Sequence, residues 1–267
     1  MALFDIKLYS VSLQTQTDVR VYIPTPENDA ESHTISFYDR TKRFQVLYLL
    51  HGATGDCSVW TRFTSIERYA RQRNLAVVCA SAGNSFYSDM VYGGKYLTFM
   101  TKELPAFIGR MFPISEKRED TFIAGNSMGG FGAYRIALEQ PERFCCAASL
   151  SGALDIITMA KMYANDPSGG LSAVFSPKDL LPGSDNDFVT LAEKRIREGC
   201  TLPRFYQCCG TEDFLYPLNT SFRDRFREAD VDLTYAESKG IHDWEYWDMQ
   251  IRNVLDWLPL ANTLVEG

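Results

Sequence analysis

The chain has 267 residues, 45% of them hydrophobic and 23% charged, with 27 basic against 34 acidic side chains and a net charge of −7. These proportions fit a soluble globular protein with a sizeable core and exclude a disordered chain, a collagen or a disulfide scaffold. An acidic chain is a poor match for phosphate backbones or anionic lipid, so neither nucleic acid nor a membrane is expected as a partner.

Phe4, Ile6 and Leu8 alternate, and Val19, Val21 and Ile23 repeat the pattern, which predicts an antiparallel pair at a sheet edge. Residues 24–43 are polar and loop-like, and 44–50 form a run that is apolar but for Gln45, the mark of a strand buried on both faces. A helix is predicted over 65–72 and a second buried strand over 75–80, followed by a Gly-, Ser- and Tyr-rich loop. Leu97, Met100, Leu104, Phe107, Ile108 and Met111 have helical spacing, and Pro105 either kinks that helix or opens a second one. Strands at 121–124 and 144–150 bracket a helix that ends before Pro141. Over 154–203 the pattern loosens, and it resumes with a strand at 204–209, a helix at 218–229, alternation at Val231, Leu233 and Tyr235, and a last helix carrying Trp244, Trp247, Ile251, Val254, Leu255 and Leu258. Strands alternating with helices predict one α/β domain around a mainly parallel sheet.

Gly125-Asn126-Ser127-Met128-Gly129 fits G-x-S-x-G and falls between a predicted strand and a predicted helix, where a nucleophile elbow belongs. A serine nucleophile needs a base. Of the three histidines, His33 lies in a polar loop, and His51 directly follows a buried strand, where a structural role suits it better than proton transfer. His242 follows the last strand, and only it lies C-terminal to Ser127, as the order Ser, Asp or Glu, His of α/β-hydrolases requires. Glu212 and Asp213, after the 204–209 strand, both qualify as the acid that orients the imidazole. The oxyanion donors expected of such a site are the backbone N–H groups of Met128 and of Ala53, in the loop after the early strand.

Together these stretches resemble the esterase D-type α/β-hydrolases. LLHGATGD at 49–56, with Trp60 following, is similar to their oxyanion loop, and GNSMGGFG at 125–132 to their elbow. CGTEDFLY at 209–216 and GIHDWEYWD at 240–248 resemble the tributyrin esterase branch. The resemblance implies Asp213 rather than Glu212 as the acid, His242 as the base, and hydrolysis of short-chain acyl esters of small molecules without metal or cofactor. Its relatives include S-formylglutathione hydrolases and feruloyl or acetylxylan esterases. A thioesterase, an acyltransferase and an inactive hydrolase-fold binding protein are the alternatives.

The 154–203 stretch is expected to form a cap within the single domain, with Leu154, Ile157, Met159, Met162 and Tyr163 lining a pocket or forming the cap's own core. Asn84, Ser85 and Tyr92 are expected to rim the site, and Trp60 and Trp247 to be pocket walls or core. Phe86 and Tyr87 are expected to be exposed aromatics that suit an interface or a pocket equally, which leaves a homo-oligomer open. Seven cysteines without metal spacing read as reduced thiols, and Asp5 and Lys7 interrupt the N-terminal segment where an export signal would be apolar; both favour the cytoplasm.

Overall fold

A computed structural model of the chain describes residues 1–26, 37–162 and 171–267. Eight strands form one sheet: β1 (Ala2–Ser10), β2 (Thr15–Ile23), β3 (Val46–Leu50), β4 (Ala76–Ala80), β5 (Thr121–Asn126), β6 (Cys146–Leu150), β7 (Arg204–Gly210) and β8 (Leu233–Ser238). Their order is β1-β2-β4-β3-β5-β6-β7-β8. β1 and β2 are antiparallel, with Phe4 opposite Val21 and Ile6 opposite Val19, and β2 pairs antiparallel with β4. All other pairs are parallel. A short ribbon joins Lys42–Arg43 to Val265–Glu266.

The period of two along each strand splits the core into two layers. Val46, Tyr48 and Leu50 of β3 face one layer, and Leu47 and Leu49 the other. The first layer is built by α3 (Leu104–Met111), α4 (Met128–Glu139), α6 (Phe188–Arg197) and α7 (Tyr216–Glu228). Its centre is aromatic: Phe131 meets Phe188, Tyr134 meets Phe205, and Phe222 stacks on Phe226, with ring centroids 4.8, 4.8 and 5.0 Å apart. The second layer holds α1 (Val59–Phe63), α2 (Ile66–Arg71) and α8 (Trp244–Trp257), which bury Trp60, Tyr69, Trp247, Ile251 and Val254. The short α1 was not among the predicted elements.

Pro105 opens a second helix, one of the two outcomes expected of it. It stands in the first turn of α3, and the preceding Phe99–Glu103 turn is π-helical, with the Leu104 N–H donating to Phe99 O. A proline cannot donate to the carbonyl four residues back. Thr101 O is that carbonyl, and it accepts from Gln140 Nε2 at 3.1 Å instead.

The stretch expected as a cap divides. Its α6 buries Phe188, Leu191 and Ala192 against the sheet's aromatic layer, as the crossover helix that a parallel β6–β7 pair requires. Leu154, Ile156 and Ile157 of the chain leading into and through α5 (Ile156–Met162) are also buried, Met159 packs against the same core, and Met162 is exposed. Tyr163 lies outside the described residues. Phe86 and Tyr87 are not the exposed aromatics expected from sequence: Tyr87 is fully buried, and Phe86 packs on Phe131 and Phe175.

At the centre of the sheet the start of α4 presses on the end of β3. A Cβ on Gly129 would lie 2.5 Å from Leu50 O and 2.7 Å from His51 O, both backbone atoms that cannot yield without moving a buried strand. Gly129→Ala is therefore expected to destabilise by about 3 kcal/mol or more, read as a fall in Tm of roughly 6 °C or more. A thermal melt within 2 °C of wild type would contradict this contact.

Candidate active site

Ser127 joins β5 to α4 and has φ 53° and ψ −118°, a left-handed backbone that costs a non-glycine residue roughly 1–3 kcal/mol. Backbone bonds hold it there. Its N–H donates to Leu150 O at 2.9 Å, and its carbonyl accepts from Gly130, Phe131 and Ala153 at 3.0, 3.2 and 3.3 Å. The side chain does not cap the helix, so Oγ is free to point away from it. Twelve helical residues follow, and their dipole favours negative charge at this end.

Asp213 and His242 sit on turns after β7 and β8. The two turns are stitched through backbone: Thr211 N–H donates to Ser238 O and Glu212 N–H to Gly240 O, both at 3.0 Å. Gly210 packs directly on the backbone of Gly240, leaving no room for a Cβ. The structure thereby brings three predicted side chains into one chain of contacts. His242 Nδ1 lies 2.8 Å from Asp213 Oδ2, and its Nε2 lies 2.9 Å from Ser127 Oγ. A carboxylate facing Nδ1 puts the ring proton there and leaves Nε2 bare to accept the Oγ hydrogen.

Asp213 has a fully buried side chain, and Oδ1 accepts the Leu215 N–H at 2.8 Å. Burial pushes its carboxyl up, but the bonds from His242 and from the Leu215 N–H outweigh that and hold it below its ordinary value. Glu212, chemically its equal in sequence, points outward and lies 3.9 Å from Lys239 Nζ. His33 lies outside the described residues.

His51 turns out to organise the loop after β3. It is buried, with Nε2 accepting the Ala82 N–H at 2.9 Å and Nδ1 donating to Gly52 O at 2.7 Å. Burial holds its pKa below the ordinary histidine value, and Nε2, accepting the Ala82 N–H, carries no proton. Gly55 N–H also donates to Gly52 O, at 3.2 Å. The loop is fixed further by Tyr87 Oη donating to His51 O at 2.9 Å and by Asn84 Oδ1 accepting the Thr54 N–H at 2.7 Å. Gly52 lies against Ser127, where a Cβ would come within 3.4 Å of the serine's own. Ala53 is exposed, and Met128 is buried at the first position of α4.

The residues expected around the substrate are distributed differently. Trp60 is fully buried, with its indole donating to Leu50 O at 2.9 Å. Ser85 is also buried, and its Oγ accepts the Tyr87 N–H at 3.0 Å. Asn84 holds the His51–Gly55 loop from its outer side, Tyr92 is exposed on a loop tied to Ala173, and Trp247 meets His242 edge to face at 4.9 Å. Sequence reasoning missed Phe214, whose ring centroid is 4.7 Å from that of His242. Its position next to Asp213 is the signal that could have found it. Among the described residues no cluster of His, Cys, Asp and Glu could hold a metal, and no helix is long and apolar enough to cross a membrane.

Comparison with known proteins shows the family. The Esterase family model matches residues 10–258. An acetyl esterase of Caldicellulosiruptor saccharolyticus is 34% identical over 264 residues, 97% of this chain and 98% of that protein. Among solved structures, the fluorophosphonate-binding serine hydrolase F of Staphylococcus aureus superimposes with a TM-score of 0.84 at 31% identity, covering 96% of this chain and 98% of that one. The S-formylglutathione hydrolase of Staphylococcus aureus does so with a TM-score of 0.81 at 31% identity and the same coverage. With a family match over nearly the whole chain and a 34% identical esterase covered end to end, the chain belongs to the Esterase family, carboxylic ester hydrolases built on the α/β-hydrolase fold.

Proposed function

We propose that this esterase is a serine carboxylesterase that hydrolyses short-chain acyl esters, acetyl to butyryl, through an acyl-enzyme. The observation that carries the reading is the unbroken contact chain from Ser127 Oγ through His242 to Asp213, at 2.9 and 2.8 Å. Ser127 Oγ attacks the ester carbonyl carbon while its proton passes to His242 Nε2. The tetrahedral oxyanion is received by the N–H groups of Met128 and Ala53, each worth about 3–4 kcal/mol in the transition state. Collapse breaks the bond to the alcohol, whose oxygen takes the proton from Nε2. Water then attacks the acyl-enzyme with His242 again as base, and the acid leaves. Asp213 stabilises the imidazolium in both halves. No step calls for a metal or cofactor.

His51 serves this reading as a positioning residue. In a trans peptide the carbonyl of one residue and the N–H of the next point in opposite directions. His51 and Gly55 draw the Gly52 carbonyl to one side, which turns the Ala53 N–H to the other. Asn84, Tyr87 and Trp60 brace the same loop and its strand. The seven unpaired cysteines support a reducing compartment, the cytoplasm. The likeness to an S-formylglutathione hydrolase makes a thioester the second reading, and comparing kcat/KM on S-formylglutathione and on an acetyl ester decides between the two.

Initial rates on p-nitrophenyl acetate, butyrate and octanoate are expected to peak at acetate or butyrate. They should fall to background in Ser127→Ala; turnover that survives this substitution sinks the reading. Asp213→Asn should lower kcat by roughly 10³–10⁴-fold by favouring the wrong tautomer of His242. His51→Ala is expected to lower kcat by roughly ten- to a hundredfold with little change in KM, since the Ala53 donor acts on the transition state. His51 also gives stability a pH dependence. Its folded pKa is depressed, so its contribution is whole above the unfolded value near 6.5 and declines as pH falls below it, where the unfolded chain takes a proton that the folded one refuses. The Tm of wild type should accordingly drop more steeply between pH 7 and pH 5.5 than that of His51→Gln; parallel curves would rule this out.

A further inference from the structure

Two large apolar side chains beside His242 take no part in the chemistry above. Phe214 directly follows Asp213 and is 63% exposed, and Ile241 directly precedes His242 and is 51% exposed. The Phe214 ring lies 4.7 Å from the imidazole at an interplanar angle of 54°. The imidazole also meets Trp247, which is buried among Trp244 and the second core layer. One aromatic neighbour of the base is thus part of the core, and the other is open to whatever approaches it. The charged groups next to this apolar pair, Glu212 and Lys239, face each other across 3.9 Å.

The reaction fixes which half of the substrate meets these groups. When the tetrahedral intermediate collapses, the bond between carbonyl carbon and alcohol oxygen breaks, and that oxygen takes the proton from His242 Nε2. It must therefore sit within hydrogen-bond reach of Nε2, roughly 2.6–3.2 Å. The first carbon atoms of the alcohol then lie alongside the imidazole, while the acyl chain leaves the carbonyl carbon in another direction. With the Phe214 centroid 4.7 Å from that of the imidazole, an aromatic ring one or two bonds beyond the alcohol oxygen can reach it.

We infer that Phe214 and Ile241 form the subsite for the alcohol half of the ester, selecting alcohols with a flat apolar face, aryl or arylalkyl, over short aliphatic ones. The inference rests on the serine-esterase reading. It confines the effect of Phe214 to acylation, because the alcohol has left before water attacks.

The test compares benzyl acetate with ethyl acetate, two esters that yield the same acetyl-enzyme. Acid release is followed by pH-stat for wild type, Phe214→Ala, Phe214→Tyr and Ile241→Ser. Wild type is expected to favour benzyl acetate in kcat/KM by tenfold or more. Phe214→Ala should cut that ratio about five- to tenfold, as the loss of one aromatic contact allows. Phe214→Tyr should retain it, and Ile241→Ser should reduce it by a smaller factor. A ratio that does not change in Phe214→Ala overturns the inference. So does an equal fall on both esters, which would make Phe214 a support for His242 alone. Wild type that hydrolyses neither ester and is not labelled at Ser127 by a fluorophosphonate overturns the serine-esterase reading itself. Wild-type turnover with a flat ratio removes only the subsite.

Discussion

The contact on which the site depends is made by backbone. Gly129, in the first turn of α4, rests on the carbonyls of Leu50 and His51 at the end of β3. The helix that begins after Ser127 and the loop after β3 are thereby held at one fixed separation. Gly125, one position before the end of β5, makes the reverse contact, with the backbone of Gly129 and the side chain of Leu50 against it. Side chains of any size at these two positions would drive the elements apart, and the hydrogen bonds that hold Ser127 in its strained conformation would lose their partners.

Around that contact the polar groups are arranged so that each loop is fixed by a group from another element. The loop after β3 is held by Ala82, Asn84 and Tyr87, all from the segment after β4. The turn carrying Asp213 is held by the turn carrying His242, and the other way round. Preorganisation of this kind matters because a donor already aimed at the developing charge needs no reorganisation when the reaction occurs. Low dielectric strengthens it: both His51 and Asp213 are buried, and each of their ring nitrogens or carboxylate oxygens has a partner.

Much of this was legible in the sequence, and the reasons differ by residue. The strands and α4 follow from apolar runs and periodicity, and Ser127 and His242 from a strand–turn–helix setting and from chain order. Asp213 and Glu212 could not be separated by residue chemistry. What separates them is which way each points from a tight turn, inward with no exposed side-chain area or outward toward Lys239. The helix α6 was hidden because its polar face carries Glu193, Lys194, Arg195 and Arg197, so Phe188, Leu191 and Ala192 stood out too little from a Pro- and Gly-rich neighbourhood. Phe86 and Tyr87 were misjudged for a backbone reason. Both have positive φ, 50° and 53°, a conformation that no propensity pattern announces and that turns Tyr87 beneath the loop after β3.

The bonds of Ser127 also bear on how the protein loses activity. Its N–H is paired to Leu150 at the end of β6, and its carbonyl to Ala153 just beyond, in the middle of the sheet. Segments that open locally are those with few buried contacts, and this one has none of their character. Ser127 is thus tied into the central strands of the sheet. Heat should leave the elbow intact until the central strands themselves separate, so inactivation and global unfolding form a single transition, and amide exchange at Ser127 reports the stability of the whole domain.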